Sequence, residues 1–195
     1  MIGTKKVACI IPARLLSTRF PRKMLSSIKG KPLLQWVWEN ASRSSVFDTV
    51  AFAVDAEETA RLIKSFGGTC FMTSETCLVG TERLVELMER KLVDADIWVN
   101  WQGDEPFIQE AMIHDLLQSC AEDGSDVWTL KKKCTKQEEI QSPHAPKVVS
   151  DHRGFALYFS RSPIPFYRDI SPGECKLFFR HIGMYAFSKE ALQKI

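Results

Sequence analysis

The sequence predicts an α/β fold with a mostly parallel sheet and helices on both of its faces. Up to residue 120, short runs of strand type alternate with amphipathic helical segments, which is the pattern of parallel β-α-β units. After residue 127 two apolar runs flank the turn sequence SDHRG, which predicts a hairpin. Since 45% of the 195 residues are apolar, we expect one domain, with residues 145–170 as a hairpin and loop appendage.

The individual elements follow from local patterns. Residues 5–11 form a β-branched run that we expect to end at Pro12, because proline cannot donate a hydrogen bond to a neighbouring strand. Pro32 suits the first turn of a helix, and Gly67 predicts the end of another. The predicted strands are residues 5–11, 49–54, 69–72, 96–101, 147–149, 155–160 and 182–187, and the predicted helices are a segment at Pro32 and residues 57–66, 81–92 and 109–120.

Charge, cysteine usage and hydropathy bound the class of function. The formal net charge is +2, so we expect neither a nucleic-acid nor a membrane partner, and any basic site must be local. Six cysteines are scattered without a C-x-x-C pair, which argues against a zinc site and a disulfide framework. Neither a signal-peptide pattern nor an apolar run of membrane-spanning length is present. Together with reduced thiols, these features predict a cytoplasmic protein.

The sequence IIPARLLSTRFPRKML, residues 10–25, places many cations directly after the first strand. Ligands of open parallel sheets bind at the carboxyl ends of strands. Backbone amides between residues 13 and 18 can bind phosphate oxygens, and Arg14, Arg19 and Lys23 can neutralise them. The alternative is a loop of ordinary surface cations. No Walker-type G-x-x-x-x-G-K-[ST] motif is present.

The sequence NWQGDEP, residues 100–106, follows another predicted strand. Asp104 is well placed to bind Mg²⁺, which proteins commonly hold through a carboxylate together with substrate phosphate oxygens. The alternative is that Asp104 caps the helix beginning near Gln109.

The sequence MTSETCLVGTERL, residues 72–84, precedes and enters a predicted helix. We expect Thr81 to cap this helix. Arg83 lies in the first turn, where the helix dipole disfavours a cation, so we expect an anionic or carbonyl partner for it. The alternative is a solvated Arg83. Near the end of the chain, Arg161, Arg180 and His181 suit a second substrate that carries a carboxylate.

These motifs, taken together and in order, resemble the 3-deoxy-manno-octulosonate (KDO) cytidylyltransferases. The resemblance rests on PARLLSTRFPRKML and GKPLLQ, and continues through FGGTCFMTS, GTERL, VNWQGDEPFI, PKVVSDHRGFALYFSRSPIP and RHIGMYAF. It spans essentially the whole chain. It implies a Rossmann-like three-layer nucleotidyltransferase fold with a β-hairpin appendage that forms a homodimer.

The resemblance also implies a Mg²⁺-dependent reaction of CTP with an acid sugar, which gives a CMP-sugar for lipopolysaccharide synthesis and pyrophosphate. It implies catalytic roles for Arg14, Lys23 and Asp104, with Asp104 as the metal ligand. The implied nucleotide-binding residues are Ala13, Arg14, Ser17, Arg19, Lys23, Thr81, Arg83 and Gln102, and the implied sugar-binding residues are Arg161, Arg180 and His181.

The chain departs from the family pattern at several positions. Arg22 and Met24 flank Lys23 where the family has Gly and Pro, VDA at residues 54–56 replaces a TDD-like sequence, and Val79 replaces a serine. We expect the C-terminal part of the family domain, with a second metal-binding aspartate, to lie beyond Ile195. We therefore expect weak CTP binding and low turnover for the chain as given.

Two other functions remain open from the sequence. The first is a nucleotidyltransferase that acts on a different acid sugar, and the second is a catalytically silent nucleotide-binding homologue. A dinucleotide-binding enzyme is disfavoured, because G-x-G-x-x-G is missing after the first strand.

Overall fold

The computed structural model describes residues 4–15, 23–122, 124–168 and 177–195, although not the side chains of Lys23, Ala121 and Glu122. The chain divides into two compact units. The first comprises Met1–Trp128 and Met184–Ile195, and the second comprises Thr129–Gly183.

Strands and helices alternate along the chain as the sequence predicts. Their bounds are β1 (Val7–Ala13), β2 (Ser27–Ile28), β3 (Lys31–Pro32), α1 (Leu33–Arg43), β4 (Thr49–Val54), α2 (Glu57–Ser65), β5 (Cys70–Met72), α3 (Gly80–Glu89), β6 (Ile97–Trp101), α4 (Glu110–Glu122), β7 (Val127–Lys133), α5 (Gln137–Gln141), β8 (Lys147–Ser150), β9 (Ala156–Ser160), β10 (Phe179–Ser188) and α6 (Lys189–Leu192). A 3₁₀ turn covers Lys23–Leu25.

The first unit contains a mostly parallel sheet in the order β5-β4-β1-β6-β10. The strands β5, β4, β1 and β6 are parallel, and residues 184–188 of β10 run antiparallel to β6. Ala51 and Ala53 pack in one buried cluster with Leu84 of α3 and Leu192 of α6. Phe52 lies between these alanines and points to the other face, where its ring stacks on Trp38 of α1 at 5.7 Å. Helices therefore cover both faces, which confirms the three-layer prediction.

The first strand continues through Pro12, so the predicted end at this residue is wrong. The carbonyl of Val7 accepts a hydrogen bond from the Asp48 amide, on the β4 side of β1. Alternate residues of a parallel strand bond to opposite neighbours, so the missing amide hydrogen of Pro12 faces the β6 side. Pairing with β6 stops at Ile10, whereas pairing with β4, which needs no donor from Pro12, continues to Ala13.

Glycine ends α2 as predicted. The amide of Gly67, which has φ +79°, donates to Lys64, and the amide of Gly68 donates to Ile63. This is the Schellman arrangement of a helix C-terminus. The next helix, α3, ends at Glu89 rather than at residue 92, because Lys91 adopts φ +54°.

The second unit contains the predicted hairpin. Strands β8 and β9 are antiparallel, with Lys147 opposite Ser160, and Arg180 of β10 also pairs with Lys147. A small core of Cys134, Ile140 and Phe178 lies in the same unit. One element of this region, α5, has no counterpart in the prediction. Within the described ranges, no helix combines the length and the apolarity that crossing a membrane requires.

Candidate active site

A cleft of about 910 Å³ opens at the carboxyl ends of β1 and β6, beside the first turn of α3. This is the edge of the sheet at which α/β folds bind ligands. Of the predicted site residues, Arg14, Thr81, Gln102 and Asp104 line this cleft. The other residues that line it are Pro12, Met24, Ser26, Ile28, Leu33, Leu78, Val79, Gly80, Asn100 and Tyr185.

The cationic segment after β1 is described in part. Ala13 is the last, buried residue of β1, and Arg14 is exposed, with Nη1 donating to the Leu78 carbonyl oxygen at 2.7 Å. Ser17 and Arg19 lie outside the described residues. The backbone of Lys23 begins the 3₁₀ turn that also holds Met24, and Met24 lines the cleft.

Asp104 lies in the loop between β6 and α4, and its half-buried side chain lines the cleft together with Arg14. The alternative role of a helix cap is wrong for this residue, because α4 begins only at Glu110. The backbone around Asp104 is tightly packed. A Cβ atom on Gly103 would lie 3.1 Å from both the Pro12 carbonyl oxygen and Leu34 Cδ2, so a larger residue here would have to displace its neighbours.

Three polar side chains on the cleft wall form a hydrogen-bonded row. Gln102 Nε2 donates to Asn100 Oδ1 at 2.8 Å, and Asn100 Nδ2 donates to Thr81 Oγ1 at 3.3 Å. Asn100 is only 2% exposed. These bonds fix the orientation of the Gln102 amide, so that its oxygen is left to accept from a ligand.

Thr81 is not the cap of α3, contrary to the prediction. The N-cap position is Val79, and the carboxylate of Glu82 accepts hydrogen bonds from the amides of Leu78 and Val79. A carboxylate in the first turn also interacts favourably with the helix dipole. Thr81 is thereby left available for the contact with Asn100.

Arg83 has the anionic and carbonyl partners that its position predicts, and all of them belong to the protein. Its side chain is fully buried, so the solvated alternative is wrong. Nη2 pairs with Asp55 Oδ2 at 2.9 Å, and Nη1 donates to Thr73 Oγ1 at 2.6 Å and to the Ser74 carbonyl at 3.1 Å. Arg83 is not among the residues lining the cleft.

Sequence reasoning missed three residues of this region. Asp55 is the aspartate in the sequence VDA at residues 54–56, which replaces the TDD-like sequence of the family. Its Oδ1 accepts a hydrogen bond from the Leu15 amide at 2.9 Å. Asn100 is a polar residue in a buried strand, which could have indicated its role. Tyr185 lies opposite Asn100 in the β6–β10 pairing and lines the cleft. Burial raises the pKa of its phenol, so it remains a hydrogen-bond donor at neutral pH.

The predicted sugar-binding residues lie in or at the edge of the second unit. Arg161 Nη1 donates to the Pro143 carbonyl at 2.8 Å, and Arg180 Nη1 pairs with Glu139 Oε1 at 3.1 Å. His181 Nε2 lies 2.8 Å from Thr129 Oγ1, and burial lowers the pKa of its imidazole. His181 is therefore neutral at pH 7.

Comparison with known proteins identifies the family. A family model described as cytidylyltransferase matches residues 8–195. The chain belongs to the cytidylyltransferase family. Among curated relatives, the 3-deoxy-manno-octulosonate cytidylyltransferase of Geotalea daltonii is 42% identical over 96% of this chain and 77% of its own length. The 3-deoxy-manno-octulosonate cytidylyltransferase of Chlorobium phaeovibrioides is 41% identical over 97% of this chain and 76% of its own length. Relatives at this identity place the chain within the KDO branch of the cytidylyltransferases.

Solved structures agree with this assignment. A CMP-2-keto-3-deoxy-manno-octonic acid synthetase complexed with CTP superimposes with a TM-score of 0.87 and 39% identity, covering 97% of this chain and 76% of that one. A cytidylyltransferase of Leptospira borgpetersenii has a TM-score of 0.60 at 18% identity, over 97% of this chain and 63% of that one. The second likeness concerns the cytidylyltransferase fold alone.

Proposed function

We propose that this protein transfers the cytidylyl group of CTP to KDO. The anomeric hydroxyl oxygen of KDO attacks the α-phosphorus, the bond from that phosphorus to the bridging oxygen breaks, and pyrophosphate leaves with the electron pair. The hydroxyl proton is lost to solvent, and CMP-KDO is the other product. The observation that carries the proposal is the cleft that joins Arg14 and Asp104 in a chain 42% identical to a KDO cytidylyltransferase.

Charge neutralisation is the main task of such a site. Nucleotidyl transfer needs a positioned phosphate and stabilisation of the leaving group rather than a protein nucleophile. Arg14 is exposed at the mouth of the cleft, where its Nη1 donates to the neutral carbonyl of Leu78, and its other guanidinium donors can bind phosphate oxygens. We propose that Ser17, Arg19 and Lys23 complete this cationic rim.

The residues of the cleft also fit a magnesium ion. Mg²⁺ at phosphate sites is held by one or two carboxylates together with phosphate oxygens, and Asp104 offers one such carboxylate at the cleft. The described residues contain no group of three or more His, Cys, Asp or Glu side chains that could hold a metal, and a nucleotide-borne ion needs none. When bound, the ion supplies Lewis-acid neutralisation of the phosphate charge.

Two further parts of the proposal concern the second unit. Arg161, Arg180 and His181 are proposed to bind the acid sugar. The hairpin is proposed to form a homodimer, because Leu157 is 68% and Tyr158 63% exposed on β9, and contiguous exposed apolar surface marks interaction sites. Light scattering at micromolar concentration tests this, and a monomer would contradict it. We also propose a cytoplasmic location, where the thiols predicted from the sequence persist.

The central experiment is pyrophosphate release with CTP, KDO and Mg²⁺, comparing the wild type with Asp104→Asn. We expect a loss of about a hundredfold or more in the variant, because a metal-binding carboxylate is removed. Glu105→Gln is the matched control, since it removes the same charge from the exposed neighbouring residue and should retain activity. A wild type that releases no pyrophosphate with KDO would overturn the proposal.

A panel of other acid sugars and of ATP, GTP and UTP extends the same assay. Turnover with another acid sugar in preference to KDO would replace the proposed substrate while retaining the reaction. Binding of CTP by calorimetry without any turnover would instead favour a catalytically silent homologue.

A further inference from the structure

A buried ion pair lies beneath the mouth of the cleft. Arg83 and Asp55 meet at 2.9 Å, with side chains 0% and 12% exposed. An ion pair buried to this degree gains little net stability over an apolar pair of the same size. Its presence next to a ligand cleft therefore calls for a reason besides stability.

The other contacts of the two residues suggest that reason. Asp55 Oδ1 accepts from the amide of Leu15, the residue that follows Arg14. Arg83 donates to Thr73 Oγ1 and to the carbonyls of Ser74 and Cys77. The ion pair thus joins the start of the phosphate-binding segment, residues 14–15, to the loop of residues 73–79.

The same two segments are also tied at the surface. Arg14 Nη1 donates to the Leu78 carbonyl at 2.7 Å, and Leu78 and Val79 line the cleft beside Arg14. Two separate links, one buried and one exposed, therefore fix the distance across the cleft mouth. The exposed link must be free to change when Arg14 binds a phosphate oxygen, whereas the Arg83 side chain of the buried link is 0% exposed.

We propose that Asp55 and Arg83 are positioning residues for the nucleotide. Their ion pair holds residues 14–15 and 73–79 at the spacing that CTP binding requires, although neither side chain needs to touch CTP. This inference rests on the proposed function. It gives Arg83 an indirect role in place of the direct nucleotide contact that the resemblance implies.

The test compares Asp55→Asn and Thr73→Val with the wild type. Asp55→Asn removes the charge and can satisfy only one of Leu15 and Arg83, while Thr73→Val removes one acceptor of Arg83 with little change of shape. We expect the KM for CTP to rise about tenfold to a hundredfold in Asp55→Asn, because misplaced binding groups cost this much. The KM for KDO should change little.

Glu39→Gln is the matched control. Glu39 pairs with Lys31 at 2.7 Å in the same unit, and neither residue lines the cleft. If the ion pair of Asp55 were merely structural, Asp55→Asn, like Glu39→Gln, would lower stability without changing the KM of the folded enzyme for CTP. Unchanged CTP affinity in both test variants, or an equal rise of both KM values, would overturn the proposal.

Hydrogen exchange supplies a readout that needs no substrate. We expect faster amide exchange in residues 13–15 and 73–79 for both test variants and unchanged exchange there for Glu39→Gln. A wild type without turnover would refute the proposed function, yet this exchange pattern would still report on the ion pair. Exchange that is unaffected in Thr73→Val and Asp55→Asn would overturn the positioning role.

Discussion

Arg14 Nη1 donates a 2.7 Å hydrogen bond to the carbonyl oxygen of Leu78, so the cation proposed to bind phosphate is held by the loop that precedes α3. The bond joins an exposed guanidinium to a neutral acceptor. Because phosphate is a far stronger partner than a carbonyl, Arg14 can exchange this contact for a phosphate oxygen of CTP.

Arg14→Gln should lower kcat/KM for CTP by about a hundredfold or more, because one charge that stabilises the departing pyrophosphate is lost. Pyrophosphate release measures the effect. The midpoint of thermal unfolding should change little, since Arg14 is exposed. Arg61→Gln, an exposed substitution on α2, is the control, and equal activity of the two variants would contradict the role of Arg14.

Asn100→Leu should lower the free energy of unfolding by about 1–3 kcal/mol, because Thr81 and Gln102 lose their common partner in a buried position. It should also reduce activity, since the Gln102 amide is no longer oriented. Thr81→Val leaves the 2.8 Å bond between Asn100 and Gln102 intact and should affect activity less. The opposite order of the two variants would show that Gln102 needs no such orientation.

The sequence predicts local structure better than it predicts contacts. The bounds of α2 are right to within one residue because Gly67 ends the helix by a local hydrogen-bonding pattern. The end of β1 was misplaced, because the cost of Pro12 depends on which neighbouring strand its amide would face. Only tertiary structure supplies that information.

In the candidate site, too, local patterns could be predicted from the sequence and tertiary contacts could not. Arg14 and Asp104 could be predicted because each follows a strand of a parallel sheet, and such strands end at one edge. The partner of Arg83 could be predicted to be an anionic or carbonyl group, but the pairing with Asp55 depends on how β4 and α3 pack. Asn100 was missed because its partners, Thr81 and Gln102, meet only when α3 lies beside β6.

Gly103→Ala should destabilise the fold by about 1–3 kcal/mol, the usual cost of overpacking. The added Cβ atom would lie 3.1 Å from the Pro12 carbonyl oxygen and from Leu34 Cδ2, and 3.2 Å from Met24 Sδ. Gly124→Ala is the control, since nothing lies within 4 Å of a Cβ atom there. Denaturant unfolding measures both, and equal stability of the two variants would contradict the tight contact.

His181 should make the stability of the protein depend on pH below its ordinary pKa of 6.5. Burial lowers the pKa of this imidazole in the folded chain, so as the pH falls below 6.5 the unfolded chain binds the proton first. The contribution of neutral His181 to stability is therefore complete above pH 6.5 and is lost as the pH falls towards the folded pKa.

The variant His181→Gln removes this titration. The difference in unfolding free energy between wild type and variant, measured well above pH 6.5, is the reference. As the pH falls below 6.5, we expect the wild type to lose unfolding free energy relative to the variant. An NMR titration of His181 should give a midpoint below pH 6.5. A midpoint above 6.5 would mean that protonation is favoured by the fold, and His181 could then bind a sugar carboxylate as a cation rather than as a neutral hydrogen-bonding group.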